Sequence, residues 1–251
     1  MILAVIGKGG VGKTTVTSLL LRRLLDTGQR PVLTIDADPS SCLGSALGIR
    51  VERTLAELRE GMREEQDRAR SMSPSEWLDL ETQQAMIENA GFDLLTMGRP
   101  EGKGCYCYVN NLIRDRLDRL SRAYRHVLLD CEAGLEHLSR RTSGRPDVLV
   151  CVTNRSRMAA ETIRRSLTLY RELHGELPRR VDLILNTVDP GEPLAAEMTA
   201  IASGGERPFG RTLAIPLDPE VAGCESTARS LLTLCPNTPA MAALQAWELP
   251  A

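Results

Sequence analysis

The segment GKGGVGKTT, from Gly7 to Thr15, decides the fold that we expect for this chain. It matches the phosphate-loop pattern G-x-x-x-x-G-K-[ST], and it lies between an apolar run, Ile2 to Ile6, and a segment of helical period, Thr14 to Leu25. In that strand, loop and helix context the glycines let backbone N–H groups turn inward around phosphate oxygens. The segment therefore predicts a nucleotide phosphate site at the end of a strand.

The same loop supplies the charged and hydroxyl groups that a nucleotide requires. Lys13 would place a point charge on the β- and γ-phosphates, and Thr14 would offer its hydroxyl to Mg²⁺. Only three of the 31 basic residues are lysines, and two of them, Lys8 and Lys13, lie here, which indicates positions that need a compact ammonium. The loop residues predicted to bind nucleotide are Gly9, Gly10, Val11, Gly12, Lys13, Thr14 and Thr15.

Acidic residues follow two further apolar runs. PVLTIDADP ends with Asp36 and Asp38, two residues apart and therefore expected on one side of a strand, and HVLLDCEAG carries Asp130 into a loop that contains glycine. Ligands of open α/β sheets bind at the carboxyl ends of the strands. Together with the phosphate loop, these carboxylates predict a nucleoside triphosphate hydrolase that holds Mg²⁺ through Thr14, Asp38 and Asp130.

Short runs rich in Val, Ile and Leu alternate along the chain with segments of helical period. This alternation predicts a doubly wound α/β fold, with a mainly parallel sheet of about seven strands flanked by helices. The predicted strands are Ile2 to Ile6, Pro31 to Asp36, Phe92 to Met97, His126 to Asp130, Asp147 to Val152, Val181 to Asn186 and Thr212 to Pro216. The predicted helices are Thr14 to Leu25, Val109 to Tyr124 and Met158 to Leu173.

Residues 1–251 are expected to form a single P-loop domain, because no repeat, low-complexity tract or linker divides them. The segment 51–91 departs from the alternation. It carries a charged helix, Leu55 to Ala69, and a second helix opened by Ser73 with Glu76 three residues on, which is a capping-box spacing. We interpret 51–91 as a helical elaboration at one edge of the sheet, either a solvated surface or a docking face for a partner.

Composition limits the classes of function. A formal charge of -2 and a pI near 6.0 give no long-range attraction to nucleic acid or to an anionic bilayer. No apolar run reaches bilayer-spanning length, and MILAVIGKGG is not an export signal, so we expect a cytoplasmic protein with no nucleic acid and no membrane as partner. Seven cysteines, an odd number, indicate free thiols rather than a disulfide framework.

The base of the nucleotide is open on the sequence. Asn186 ends the run VDLILN and is followed three residues later by Asp189, as in the guanine-binding motif N-K-x-D, but Thr187 stands where the lysine belongs. Asparagine at such a position also pairs with the edge of adenine, and Asp189 is equally well explained as a turn former. Asn186 is therefore predicted to bind nucleotide, with the base unassigned.

With Lys8 in its second position, GKGGVGKTT resembles the deviant Walker A loop of the ATPases that include the nitrogenase iron protein, MinD, ParA and the arsenite-pump ATPases. The resemblance implies that Lys8 reaches the nucleotide phosphates of a second subunit, so that ATP joins two chains in a homodimer. It also implies that Asp38 orients the attacking water, and the predicted catalytic residues are Lys8, Lys13 and Asp38. The segment PLDP is implied to run beside the adenine through Pro216, Leu217 and Asp218.

Two further segments, GRPEGKGCYCYVNNLIR and DCEAGLEHLSRRT, are similar to the CooC-type ATPases, which handle nickel during the maturation of carbon monoxide dehydrogenase. This resemblance implies an ATP-hydrolysing metallochaperone, slow in isolation, whose client is carbon monoxide dehydrogenase or a related nickel enzyme. TNRSR departs from the pattern, because Asn154 stands where many relatives are expected to carry an acidic residue. The role of Arg157 therefore stays open, as do those of Cys131 and His137.

Cys105 and Cys107 are the predicted metal ligands. Two residues apart in an extended segment, they would point the same way, and a second subunit would supply the matching pair. Four thiolates would then bind Ni²⁺ or Zn²⁺ at the dimer interface. The alternative is that both are small reduced side chains that pack at a strand end.

Two other functions stay open on the sequence. Four cysteines across a dimer could hold an iron–sulfur cluster, as in an ATP-dependent electron donor resembling the nitrogenase iron protein. A MinD- or ParA-like positioning ATPase would instead carry a basic surface or a basic amphipathic C-terminal helix. The segment NTPAMAALQAWELPA contains no lysine or arginine, which disfavours this second function.

Overall fold

The structure, a computed structural model, describes residues 1–57, 73–99, 119–132, 145–206 and 209–248. Its described strands are β1 (Ile2–Gly7), β2 (Val32–Asp36), β3 (Ile87–Asn89), β4 (Phe92–Thr96), β5 (His126–Asp130), β6 (Val148–Thr153), β7 (Arg180–Asn186) and β8 (Arg211–Ile215). They form one sheet in the order β3-β4-β2-β5-β1-β6-β7-β8. Neighbouring strands run parallel, except that β3 is antiparallel to β4.

The described helices are α1 (Lys13–Asp26), α2 (Leu43–Ala46), α3 (Pro74–Ala85), α4 (Arg157–His174), α5 (Pro193–Ser203), α6 (Pro219–Thr227) and α7 (Pro239–Gln245), with a 3-10 turn at Leu231–Thr233. α1 and α7 pack on one face of the sheet, and α4 and α5 pack on the other. Within the described ranges, no helix combines the length and the apolar character that crossing a lipid bilayer requires.

β1 lies near the middle of the sheet, and its side chains alternate between two hydrophobic cores. Ala4 and Ile6 join the core beneath α4 and α5, whereas Leu3 and Val5 join the core beneath α1 and α7. Both faces of the strand are therefore buried, as its continuous apolar run predicts. This arrangement confirms the doubly wound α/β fold and brings the phosphate loop to the carboxyl edge of a central strand.

All seven predicted strands are confirmed, each to within one residue at either end, as β1, β2, β4, β5, β6, β7 and β8. The helices predicted over Thr14 to Leu25 and Met158 to Leu173 are α1 and α4, again to within one residue. Of the helix predicted over Val109 to Tyr124, the structure describes residues 119–124, and residues 119–121 are helical.

The segment 51–91, which was expected to be a helical elaboration, also contains the short strand β3. The expectation was wrong for residues 87–89, because IEN is too short and too polar to show the apolar run of a buried strand, and its pairing with β4 is what makes it a strand. Of the helix predicted over Leu55 to Ala69, residues 55–57 are helical and residues 58–69 lie outside the described residues.

The capping box predicted at the start of α3 is confirmed. The backbone N–H of Glu76 donates to Ser73 Oγ at 3.2 Å, and the backbone N–H of Ser73 donates to Glu76 Oε2 at 2.8 Å. Two N–H groups that the helix leaves unpaired are thereby satisfied, and hydrogen bonding of the Glu76 carboxyl, first to the backbone and then to the side chain of Ser73, lowers its pKa.

A buried polar contact attaches the segment after α7 to the sheet. Trp247 is 1% exposed, and its Nε1–H donates to Asp182 Oδ2, on β7, at 2.8 Å. Arg180 also donates to the fully buried Asp182 carboxylate through Nε at 2.9 Å, and its guanidinium lies 5.4 Å from the centre of the indole ring. The carboxylate is tolerated in the core because both donors reach it.

We expect Trp247→Phe to lower the free energy of unfolding by about 1–3 kcal/mol, because Asp182 loses its indole donor inside the core. The half-buried Trp77 on α3 provides a matched control, and Trp77→Phe is expected to cost less. Urea unfolding followed by far-UV circular dichroism measures both. Equal losses of stability in the two variants would contradict the assignment of Trp247 as an anchor.

Candidate active site

The phosphate loop occupies residues 8–12, between the end of β1 and the start of α1. Its glycines are required by close contacts and by backbone conformation. A Cβ on Gly7 would lie 2.3 Å from Val152 O, and a Cβ on Gly12, at φ +87°, would lie 2.2 Å from Asn186 Nδ2. Gly10 also has a left-handed φ of +80°. Side chains would push β6 and Asn186 away from the loop, so the sequence pattern fixes its shape.

The start of α1 is suited to an anion. No side chain caps its first turn, and that turn contains no acidic residue. The free N–H groups and the helix dipole therefore favour a phosphate here. Lys13, the first residue of the helix, is 7% exposed, whereas Lys8 is half-buried and Gly9 and Gly10 are exposed.

Two strand-end carboxylates lie side by side behind the loop. Asp36 on β2 is in register with Asp130 on β5, and both are buried. The hydroxyl of Thr14 donates to Asp130 Oδ2 at 2.7 Å, and the hydroxyl of Thr17, one turn along α1, donates to Asp130 Oδ1 at 3.3 Å. Both oxygens of one carboxylate are thus held by the helix that starts at the phosphate loop.

The environment of Asp130 is electrostatically unfavourable without a cation. The pKa of its carboxyl is raised to about 7, chiefly by burial and also by the neighbouring Asp36 charge, whereas the hydrogen bonds from Thr14 and Thr17 and the charge of Lys13 act in the opposite direction. A positive ion at this position would stabilise the ionised carboxylate. The site is therefore prepared for a cation that arrives with a nucleotide.

Asp38 lies in the loop after β2 and not on the strand, because β2 ends at Asp36. The buried Asp36 carboxylate accepts from the backbone N–H of Asp38 at 3.2 Å and from that of Leu43, at the start of α2, at 2.9 Å. Asp36 therefore fixes the loop that carries the half-buried Asp38. The pKa of the Cys42 thiol is raised, first by burial and then by the charges of Asp36, Asp38 and Asp130, which converge near it.

A cleft of about 660 Å³, including its open mouth, extends from the phosphate loop along the ends of β7 and β8. It is lined by Gly10, Val11, Gly12, Thr15, Leu19, Asn154, Asn186, Thr187, Ile215, Pro216, Leu217, Asp218, Val221, Ala222, Glu225 and Ala240. Leu217 is 69% exposed, so it offers a free apolar side chain at the cleft. All the residues predicted to bind nucleotide, except Gly9, Lys13 and Thr14, thus line this one cavity.

Glu225 was not predicted as a site residue. It lies on α6, and its Oε1 accepts from the hydroxyl of Thr15, in the first turn of α1, at 2.5 Å. The signal that could have found it is its spacing of seven residues, two helical turns, from Asp218 at the other end of the cleft wall. The sequence does not show the contact itself, because Thr15 lies 210 residues away from Glu225.

Asp218 lines the cleft, but its carboxylate is used to join two helices. It is 4% exposed, Oδ1 accepts from the N–H of Glu220 in α6, and Oδ2 accepts from the N–H of Ala240 in α7, both at 2.9 Å. These are N-cap bonds at two helix starts. Pro216 and Leu217 are therefore the members of PLDP with side chains available to a ligand.

Asn186 faces the phosphate loop, whereas Asp189 does not line the cleft. Asn186 Nδ2 donates to Val11 O at 3.0 Å. Asp189 is 67% exposed on its side chain and lies 3.9 Å from a guanidinium nitrogen of Arg155, outside the cleft lining. The two ends of a guanine-binding motif are therefore not brought together around one base.

The predicted metal ligands Cys105 and Cys107 lie outside the described residues, as does His137. Within the ranges that the structure does describe, no group of three or more His, Cys, Asp or Glu side chains could hold a metal ion. Of the five cysteines in those ranges, Cys131, Cys151 and Cys224 are buried, and Cys42 and Cys235 are exposed.

Comparison with known proteins agrees with this site. Residues 1–183 match the family described as AAA domain. The chain is 41% identical over 193 residues to an uncharacterized ATP-binding protein of Methanocaldococcus jannaschii, covering 76% of each chain. It is 37% identical over 185 residues to the carbon monoxide dehydrogenase accessory protein CooC of Rhodospirillum rubrum, covering 69% of this chain and 70% of that relative. The chain belongs to the AAA-domain family and is a P-loop ATPase of the CooC/MinD type.

The fold of this ATPase is also that of a solved structure. The cell division ATPase MinD of Pyrococcus furiosus superposes with a TM-score of 0.67 at 20% identity, over 96% of this chain and 94% of MinD. At that identity the likeness concerns the fold alone.

We expect Asp130→Asn to change the pH dependence of stability in this ATPase, measured without nucleotide and in EDTA. A carboxyl whose folded pKa is raised to about 7 binds its proton more tightly when folded, so its contribution to stability is present below about pH 4 and is lost as pH rises through 7. Asn does not titrate. The melting temperature of the variant minus that of the wild type should therefore increase between pH 5 and pH 8.

The exposed Asp189→Asn change controls for the substitution itself. A melting temperature of Asp130→Asn minus that of the wild type that stays constant, or that falls as pH rises, would contradict the electrostatic description of the site.

Proposed function

We propose that this ATPase is a metallochaperone that binds Ni²⁺ or Zn²⁺ between two subunits and assists the insertion of nickel into carbon monoxide dehydrogenase or a related nickel enzyme. The observation that carries the proposal is the identity of 37% to a carbon monoxide dehydrogenase accessory protein, together with a C-x-C pair in this chain. The metal ion is cargo, and ATP binding and hydrolysis control when two subunits hold it.

The residues at the sheet edge fit Mg²⁺·ATP. The hydroxyl hydrogen of Thr14 is committed to Asp130, so the lone pairs of its oxygen remain for a cation, and the nearby donors are oxygens, which Mg²⁺ prefers. Bound there, Mg²⁺ would neutralise charge on the β- and γ-phosphates. Thr14, Asp38 and Asp130 would hold the ion, and the first-turn N–H groups and Lys13 would hold the phosphates.

Two catalytic roles complete the proposed mechanism. Asp38 would orient the water that attacks the γ-phosphate, and its position is fixed by the bond from its N–H to Asp36. Lys8 would act on the nucleotide of the partner subunit, and its place next to the exposed Gly9 and Gly10 supports that role. Hydrolysis would therefore be slow until two subunits and a client meet.

The contacts of Asn186 support adenine as the base. Because Nδ2 donates to Val11 O, the amide presents its oxygen, an acceptor, to the rest of the cleft. The 6-amino group of adenine donates to an acceptor, whereas the 6-oxo group of guanine would face it with a second acceptor. Pro216 and Leu217 would pack against the base.

Each chain carries one C-x-C pair, Cys105 and Cys107, and a four-coordinate thiolate site would need two chains. Metal capture would then require dimerisation, and ATP-driven closure and hydrolysis would change the metal affinity without a redox step. The free thiols of Cys42, Cys151, Cys224 and Cys235 agree with the cytoplasm as the proposed location. The comparisons favour neither an iron–sulfur electron donor nor a positioning ATPase.

Size-exclusion chromatography with metal analysis tests the proposal. With Ni²⁺ and a non-hydrolysable ATP analogue, we expect the wild type to elute as a dimer with about one ion for every two chains. Cys105→Ser plus Cys107→Ser should lose the bound ion, because no sulfur ligand remains at the interface. The matched control is Cys42→Ser plus Cys235→Ser, which removes the two exposed cysteines among the described residues and should keep the ion.

The Lys8→Ala variant distinguishes nucleotide binding by one chain from the dimerisation that metal capture requires. It should still bind the ATP analogue in one chain but should no longer dimerise in response to it. Retention of the full metal content by a monomer, or by the Cys105 and Cys107 double variant, would refute the shared site. A brown protein whose visible band bleaches on reduction would point instead to a cluster.

A further inference from the structure

Thr187, which lines the cleft next to Asn186, has an unusual backbone conformation. Its φ is +60°, in the left-handed region that β-branched residues rarely adopt. Such a conformation is strained and persists only where the surroundings hold it. The position of the strain, directly after the residue that faces the phosphate loop, suggests that the turn serves the site.

Arg155 holds this turn from the end of the neighbouring strand β6. Its Nε donates to Thr187 O at 2.9 Å, and its two terminal nitrogens donate to the two carboxylate oxygens of Glu192 at 3.0 and 3.1 Å. Planar bidentate pairing of this kind fixes geometry as well as charge. The segment 187–192 is thereby closed around one guanidinium, with Asp189 at 3.9 Å adding a second negative charge.

Two hydrogen bonds join the turn to Asn186 and to the cleft wall. The Thr187 hydroxyl donates to Asn186 O at 2.6 Å, and the N–H of the fully buried Val188 donates to Ile215 O in the cleft wall at 3.0 Å. Asn186 in turn is pressed against Gly12 and bonded to Val11 O. Release of the turn would therefore free the amide of Asn186 to rotate.

We propose that Arg155 and Glu192 form a positioning clamp that keeps the Asn186 amide oxygen toward the base and so sets the preference of this ATPase for adenine over guanine nucleotides. The inference rests on the proposed adenine contact of Asn186. A fixed acceptor favours the amino group of adenine, whereas an amide free to rotate can present its donor to the oxo group of guanine. The clamp explains why Asp189 stands at the spacing of a guanine-binding motif without lining the cleft.

The test compares dissociation constants for non-hydrolysable ATP and GTP analogues, with Mg²⁺, by isothermal titration calorimetry. Arg155→Met keeps the aliphatic stem and removes all three hydrogen bonds. Because the clamp is about half exposed, we expect a moderate effect, a fall of about threefold to tenfold in the ratio of ATP to GTP affinity. Glu192→Gln, which removes the charge and keeps the shape, should lower the ratio in the same direction by less.

Arg145→Met is the matched control. Arg145 is 53% exposed, against 52% for Arg155, pairs with Glu176 at 3.2 Å and donates to the backbone oxygen of His174 at 2.9 Å, away from the cleft. It has the same kind of contacts without the turn at Thr187, so its substitution should leave the affinity ratio unchanged. An equal ratio in Arg155→Met and Arg145→Met would overturn the clamp.

A second variant addresses the backbone directly. Asparagine adopts a left-handed φ more readily than a β-branched residue and keeps a polar side chain at this position, so Thr187→Asn added to Arg155→Met should restore part of the lost ratio if the guanidinium acts by holding the turn. No restoration would overturn the proposed route through Thr187. A wild type that binds both analogues equally would reject the adenine contact of Asn186, whereas a selective wild type with an unchanged Arg155→Met ratio would reject the clamp alone.

Discussion

The carboxylate of Asp130 links the two parts of this ATPase that must act together, the sheet and the phosphate loop. It ends β5 beside the central strand, and its two oxygens accept from hydroxyls of Thr14 and Thr17 on α1. A buried carboxylate is unfavourable unless such bonds satisfy it. Since α1 begins at the loop, the same bonds that make Asp130 tolerable in the core also determine where Lys13 and the first-turn N–H groups lie. Core packing and the phosphate site thus depend on one contact.

The same carboxylate would also make the stability of the chain depend on the proposed cation. Asp36 and Asp130 are adjacent in register, and the charge of Asp36 disfavours the ionisation of Asp130. A bound cation relieves this repulsion, and a ligand that binds only the folded chain stabilises it by mass action. The loop carrying Asp38 is attached to Asp36, so a loss of the repulsion would also affect the position of Asp38, the residue proposed to orient water. Under the proposed function, stability and nucleotide state are therefore coupled at the sheet edge.

The sequence was sufficient for features that depend on local pattern and failed for those that depend on distant partners. Strands buried on both faces are continuous apolar runs, so their positions could be predicted closely, whereas β3 is short and polar and exists through its pairing with β4. The phosphate loop is a local motif. By contrast, the bond from Thr15 to Glu225 and the double cap made by Asp218 join segments that only the folded chain brings together. The left-handed turn at Thr187 has no signature in residue type at all.

The buried carboxylates and the phosphate loop are proposed to form one site, to which the cation and the nucleotide bind together. The most direct measurement is thermal unfolding of the wild-type chain with a non-hydrolysable ATP analogue, with Mg²⁺ alone, and with both. We expect the melting temperature to rise by several degrees when the analogue and Mg²⁺ are both present, and to change little with either one alone. An equal rise with the analogue in EDTA would contradict it, because the carboxylates would then have no part in binding.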